Sequence, residues 1–162
     1  MIINLPNNIQ FRVYMSKLEK RTGVCSQQFN KPDSHVLLWD FDYSELDDIV
    51  KSLMDIQKQY NLPSIYVIQS SPDSYHAYCF TSRTFREIIN ILSATKQIDM
   101  TYLRLGIVRG YFTLRITPRK NEPNFKLVKT LESGFINEVS FMDITINDYL
   151  TSNKGGKYNA KR

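Results

Sequence analysis

The sequence is poor in the residues that build metal and redox centres. Among its 162 residues it has two cysteines, Cys25 and Cys79, and two histidines, His35 and His76. The cysteines form no C-x-x-C pair, so a four-cysteine zinc site is excluded and a disulfide framework has no support. Two reduced thiols of a cytoplasmic protein are the expectation. Two histidines exclude a three-histidine metal site and, by their separation, the H-E-x-x-H helix. A long apolar run is also missing, for nothing approaches the ~18–20 residues that span a bilayer. The opening Met1-Ile2-Ile3-Asn4-Leu5-Pro6-Asn7-Asn8 has no charged n-region and does not read as a secretory signal. No membrane partner is expected. The expected location is the cytoplasm, or the host cell if the chain is viral.

The chain is rich in core-forming residues. Hydrophobic residues make up 42% and aromatics 12%, too much for a disordered chain and enough to bury a core without a metal or disulfide. The length fits one compact domain, or a domain with a small appendage, and not two full domains. We read residues 1–150 as that domain and 151–162, with Gly155-Gly156 among lysines, as a flexible basic tail.

Charge is unevenly placed. The net charge is +5. Between Leu103 and Lys129 stand Arg104, Arg109, Arg115, Arg119, Lys120, Lys126 and Lys129, opposed only by Glu122. Between Asp40 and Asp48 the reverse holds, with Asp40, Asp42, Glu45, Asp47 and Asp48 and no base. An acidic knot beside a basic second half suits a polyanionic partner plus a cation. A solvated surface of mixed charge is the plainer alternative.

Periodicity gives the order of elements. Residues 9–14 alternate weakly, as a strand does, and the polar stretch 21–34 reads as a loop. His35–Asp42 is apolar on both faces until its end, the mark of a central strand. Ser44 reads as the N-cap of a helix carrying Leu46, Ile49, Val50, Leu53 and Met54 on one stripe and stopped at Asn61-Leu62-Pro63. Ser64–Gln69 and Tyr75–Phe80 flank a Ser-Pro-Asp turn and read as a hairpin. Ser82 reads as the cap of a second helix with Phe85, Ile88, Ile89 and Leu92. Leu103–Val108, Tyr111–Ile116, Phe125–Leu131 and Phe135–Met142 read as strands, and Asp143–Leu150 as a short helix. The expected fold is α+β, helices packed on a mixed or antiparallel sheet around a β-α-β-β-α-β unit.

Three places carry chemistry. Asp40 and Asp42, at i and i+2 of a strand, project to one face. Neighbouring carboxylates repel, and a divalent cation relieves that repulsion, with phosphates completing the shell of Mg²⁺ or Mn²⁺. The alternative is a strand emerging into water with both groups hydrated. The turn Ser70-Ser71-Pro72-Asp73-Ser74 offers hydroxyls and N–H groups to an anion, and His76 opens the outgoing strand with Tyr78 and Phe80 on its face. A hydrogen-bonded, half-buried histidine is the alternative there. Asp99 is a candidate third carboxylate. Arg115, Arg119 and Lys120 could hold phosphates, or form a solvated basic edge.

Taken together these features resemble the archaeo-eukaryotic primase superfamily, including the small primases of plasmids and viruses. Its first motif, an apolar strand ending in Asp-x-Asp, is matched by Leu37-Leu38-Trp39-Asp40-Phe41-Asp42. Its second, Ser-x-His opening a strand, is matched by Ser74-Tyr75-His76. Its third, an apolar residue and Asp followed by an Arg-containing strand and a Lys, is matched by Ile98-Asp99, Leu114-Arg115-Ile116 and Arg119-Lys120. The resemblance spans about residues 35–120. It implies an RRM-like primase core acting as a DNA primase or primase-polymerase, with Mg²⁺ or Mn²⁺ on Asp40, Asp42 and Asp99. Ser74, His76, Arg115 and Lys120 would then bind the nucleotide, and Arg104, Arg109, Arg119, Lys126 and Lys129 the nucleic acid. The implied partners are a single-stranded DNA template, nucleoside triphosphates and a helicase or replication initiator. The chief rival is a non-catalytic primase-like module that binds single strands by stacking. An Asp-x-Asp nucleotide-sugar transferase does not call for the basic half. A nicking initiator needs a His-x-His pair, which His35 and His76 do not form. A plain interaction domain is the remaining alternative.

Overall fold

The computed structural model describes residues 2–5, 9–12, 18–118 and 123–152. By their internal contacts the residues fall into two compact units, Met1–Arg21 with Asp148–Arg162, and Thr22–Asn147. In the first unit β1 (Ile2–Leu5) and β2 (Ile9–Arg12) pair antiparallel, Ile2 opposite Arg12. Lys20 Nζ lies 2.6 Å from Asp148 Oδ2.

The larger unit is α+β, built on a mostly antiparallel sheet of seven strands. Its elements run β3 (Leu18–Gln28), which begins before the unit's start, β4 (Lys31–Asp42), α1 (Leu46–Tyr60), β5 (Ile65–Ser71), β6 (Ser74–Arg83), α2 (Phe85–Ala94), α3 (Met100–Arg109), β7 (Thr113–Arg115), β8 (Lys126–Leu131) and β9 (Ile144–Ser152), which runs on past the unit's end. The sheet order is β7-β3-β4-β6-β5-β8, with β9 against β3, and each pairing along that order is antiparallel. Among the described residues no helix is long and apolar enough to cross a membrane.

Alternation along β4 builds two cores. Leu37, Trp39 and Phe41 are fully buried with Ile49, Leu53 and Ile56 of α1 and Ile88, Ile91 and Leu92 of α2. Each such side chain contributes about 1.5–3 kcal/mol relative to exposure. Trp39 Nε1–H donates to Thr95 Oγ1 at 3.0 Å, and that hydroxyl donates to the Ile91 carbonyl, which ties the end of α2 to the central strand. The intervening residues Val36 and Leu38 join a second cluster with Val24, Tyr78, Leu114 and Val139. Asp40 follows Val36 and Leu38 by the same period of two.

The helices start and stop for visible reasons. α2 is opened by a capping box: Glu87 N–H donates to Thr84 Oγ1 while the Glu87 carboxylate accepts from Thr84 N–H. α1 ends at Asn61 in the left-handed conformation, where the sequence Asn-Leu-Pro predicts a stop. α3 opens at Asp99 and closes at Gly110, whose φ of +79° suits glycine.

Several sequence expectations are corrected. Residues 21–34 are not a loop. They form β3 and the start of β4, joined at Asn30 with φ +57°, because partners on both sides stabilise a polar stretch as strand. Leu103–Val108 lies in α3 rather than in a strand, since Asp99 and Gly110 cap it and Gly106 admits the Phe112 ring. Residues 144–150 belong to strand β9, as β-branched Ile144-Thr145-Ile146 favours. Phe135–Met142 is a loop entering a short 3₁₀ turn, Phe141–Asp143, and not a strand. The caps shift too. Glu45 caps α1, while the Ser44 hydroxyl donates to the Asp42 carbonyl. Thr84 caps α2, while Ser82 belongs to β6. Of the proposed tail 151–162, Thr151 and Ser152 close β9 and the remainder lies outside the described residues.

Candidate nucleotide site on the sheet

The β4–β6 register brings the first two motifs together pair by pair. Asp40 stands opposite His76 and Asp42 opposite Ser74. Directly opposed residues of antiparallel strands have Cβ atoms about 4.5–5.5 Å apart, so their side chains meet. His76 Nε2 lies 3.6 Å from Asp40 Oδ1, within ion-pair reach. Its other nitrogen, Nδ1, is 3.3 Å from the Tyr78 hydroxyl. The histidine side chain is 4% exposed and that of Asp40 22%, so the aspartate is the member of the pair that water and solutes reach. Asp42, at the strand end, is exposed.

Arg115 reaches the same place from the far end of the sheet. One guanidinium nitrogen donates to the Ser70 carbonyl at 3.2 Å and another to the Thr117 carbonyl at 3.3 Å. The group lies 5.0 Å from the centre of the Phe125 ring, as a cation over an aromatic face. Phe125 in turn meets His76 edge-on, with centroids 5.5 Å apart. Asp40, His76, Phe125 and Arg115 are thus linked side chain to side chain, and the backbone of the Ser-rich turn holds the last of them.

The start of α3 closes the flank of β4. The β3–β4 register pairs Gln27 with His35 and Gln28 with Lys31. Further along, the carbonyl of Asp40 accepts from Asp99 N–H and that of Leu38 from the Tyr102 hydroxyl, both at 2.9 Å. Burial first, and then the nearby Asp40 carboxylate, push the Tyr102 phenol well above its ordinary pKa, so it stays a donor at neutral pH. Asp99 is therefore bonded to Asp40 through the main chain. Its carboxylate accepts from Thr101 N–H at 2.7 Å as the helix cap.

The remaining expected residues scatter. Arg104 and Arg109 are exposed on α3, and Lys126 and Lys129 are exposed on the outer strand β8. Arg119 and Lys120 lie outside the described residues. Among the described residues no group of three or more His, Cys, Asp and Glu side chains is gathered to hold a metal. Asp40 and Asp42 still fit a hard cation as a two-carboxylate, oxygen-only donor set, the kind on which Mg²⁺ relies when substrate phosphates complete its shell. Both cysteines are buried, and burial raises their pKa values, that of Cys79 to about 12, so neither is a ready nucleophile.

Phe125 and Tyr102 escaped the sequence reading. Phe125 reads in sequence as the first residue of a strand, whereas β8 starts at Lys126 and the Phe125 ring turns to Arg115 and His76. Tyr102 was hidden in a stretch read as the approach to a strand. Comparison with protein-family profiles, with curated proteins and with solved structures found no match.

Proposed function

We propose that this protein is a metal-dependent nucleotidyltransferase of the primase or primase-polymerase kind, with an RRM-like primase core, acting in replication of a plasmid or virus. The reading rests on the register that sets Asp40 against His76 and Asp42 against Ser74, so that two motifs 30-odd residues apart in sequence meet at one sheet end. In this reading Asp40 and Asp42 would hold Mg²⁺ or Mn²⁺, which would supply charge neutralisation for the triphosphate and activation for a 3′-hydroxyl. That oxygen attacks the α-phosphorus, pyrophosphate leaves and the hydroxyl proton passes to water. Ser74 donates a hydrogen bond to the triphosphate, and His76, buried behind Asp40 with Nε2 3.6 Å from its Oδ1, orients that carboxylate toward the metal. Arg115, held by two carbonyls, offers fixed positive charge to the developing negative charge. The exposed bases Arg104, Arg109, Lys126 and Lys129 follow the template backbone. Lys120 and Arg119 join these roles by the family resemblance.

A second reading has its own support. Asp99 spends its carboxylate on a helix cap, which leaves two carboxylates at the site, and a primase-like module that binds single strands without catalysis needs no third. Titration calorimetry separates the two. The nucleotidyltransferase binds a nucleoside triphosphate in the presence of Mg²⁺ or Mn²⁺ and loses that binding in Asp42→Asn, with single-stranded DNA binding retained. Salt-sensitive strand binding with no triphosphate binding in either metal would favour the second reading.

A further inference from the structure

The chain leaves β4 through Tyr43, between Asp42 and the start of α1. Tyr43 has a φ of +56°, in the left-handed region that glycine or asparagine fills at least cost. A bulky aromatic is uncommon there, so the turn itself does not call for one. The Tyr43 N–H donates to the Asp73 carbonyl at 2.8 Å, which ties the residue to the Ser-rich turn. In the β4–β6 register Ser74 of that turn faces Asp42. Tyr43 is thus fixed at the mouth of the candidate site, next to its carboxylates and its turn. It is 90% exposed, more than any other described aromatic, and it belongs to neither core. The other aromatics nearby are engaged: Tyr75 packs against the helix-side core, and Phe125 has a face taken by the Arg115 guanidinium. Exposed acids flank Tyr43 in the chain, Asp42 before it and Glu45, Asp47 and Asp48 after it.

We propose that Tyr43 is the base-stacking residue of this site, its ring covering the nucleobase of the nucleoside triphosphate whose phosphates lie at Asp40 and Asp42. The inference rests on the nucleotidyltransferase reading above and deepens it. A nucleoside triphosphate is a polyanion at one end and a flat π surface at the other. The carboxylates with their cation, Ser74 and Arg115 serve the first end, and Tyr43 serves the second. Stacking tolerates any base, because every base has a π face, so the ring adds affinity without choosing a sequence. The flanking acids argue against a template strand over this ring. Asp42, Glu45, Asp47 and Asp48 repel a bare phosphate backbone, whereas a metal-bound triphosphate arrives partly neutralised. The exposed bases that suit a strand stand elsewhere, on α3 and β8.

Titration calorimetry on the full chain tests this with two probes in Mg²⁺, adenosine triphosphate and inorganic tripolyphosphate. The second carries the phosphates without a base. Tyr43→Ala, shown by circular dichroism to be folded, is expected to weaken adenosine triphosphate binding roughly 5- to 150-fold, the loss of one base–aromatic stack. Its binding of tripolyphosphate and of single-stranded DNA is expected to match the wild type. Tyr43→Asn, which suits the left-handed backbone, should behave as Tyr43→Ala does. Tyr43→Phe keeps the π face and should bind adenosine triphosphate as the wild type does. Unchanged adenosine triphosphate binding in Tyr43→Ala and Tyr43→Asn would overturn the proposal and leave the nucleotidyltransferase reading standing. Equal losses for both probes would also overturn it, since the residue would then act through the metal site. So would a loss confined to the DNA strand, which would assign the ring to the template. A wild type that binds neither probe would overturn that reading and this proposal together.

Discussion

Replacing Arg115 with lysine isolates what the guanidinium contributes beyond its charge. Lysine keeps the charge but cannot donate to the Ser70 and Thr117 carbonyls together or lie flat over Phe125. The two hydrogen bonds, at 3.2 and 3.3 Å, are long, so each is set at about 0.5–1.5 kcal/mol, below the ~1.5–3 kcal/mol of well-formed bonds to charged groups. The cation–π contact at 5.0 Å adds about 0.5–1 kcal/mol at a half-buried position. Allowing lysine to keep one of these contacts, Arg115→Lys should cost about 1–2 kcal/mol. For a chain of 162 residues that is a fall in Tm of roughly 2–8 °C. Urea unfolding at neutral pH reads it as a lower midpoint with unchanged slope. In the proposed site the same change should weaken triphosphate binding more than single-strand binding, since the fork is aimed at the His76 end of the sheet. A lysine variant matching the wild type in both midpoint and triphosphate binding would refute the linkage of Arg115 to Phe125 and His76.

Two further predictions concern the scaffold. A Cβ at Gly106 would overlap the Phe112 ring, which is fully buried against Tyr102 and Phe85, so Gly106→Ala should cost about 1–3 kcal/mol despite the better helix former; a variant as stable as the wild type in urea would show that Phe112 relocates freely. His35 is buried against Phe85 with Nδ1 3.0 Å from the Ser26 hydroxyl, and burial, only partly offset by Asp33, lowers its pKa. The unfolded chain therefore binds the proton more readily, so the stability from neutral His35 is complete above the ordinary value near ~6.5 and is lost as pH falls from there toward the folded value. Urea midpoints should drop on acidification through that window in the wild type and drop less in His35→Gln; equal slopes in the two proteins would assign the loss to another group.

Legibility followed the balance of local and long-range forces. β4, α1, α2 and the β5–β6 hairpin could be read because their patterns match their environments: a strand apolar on both faces lies between two cores, and a 3.6-residue stripe lies on one. β3 could not, because its polar residues become strand only through β4 and β7, and no local pattern encodes that pairing. α3 misled for the opposite reason. Its outward face keeps Leu105, Ile107 and Val108, so no amphipathic contrast marks it as a helix, and Gly106 in its middle argues against one until the Phe112 ring is seen beside it. At the candidate site, the shared face of Asp40 and Asp42 follows from strand geometry, and the grouping with Ser74 and His76 was anticipated from short motifs. That Asp40 faces His76 in particular is set by register, which a two-residue slip would change without altering the hydrophobic pattern. The place of Asp99 was half legible: its nearness to Asp40 is real through the main chain, while its engagement as a helix cap depends on a helix read as strand.

The most direct test of the account is synthesis itself. The protein is incubated with single-stranded DNA, labelled nucleoside triphosphates and Mg²⁺ or Mn²⁺, beside Asp40→Ala shown by circular dichroism to be folded. The account predicts short labelled products that require the metal and vanish in Asp40→Ala. Products of equal yield from wild type and variant, or none from a wild type that binds triphosphate and template together, would contradict it.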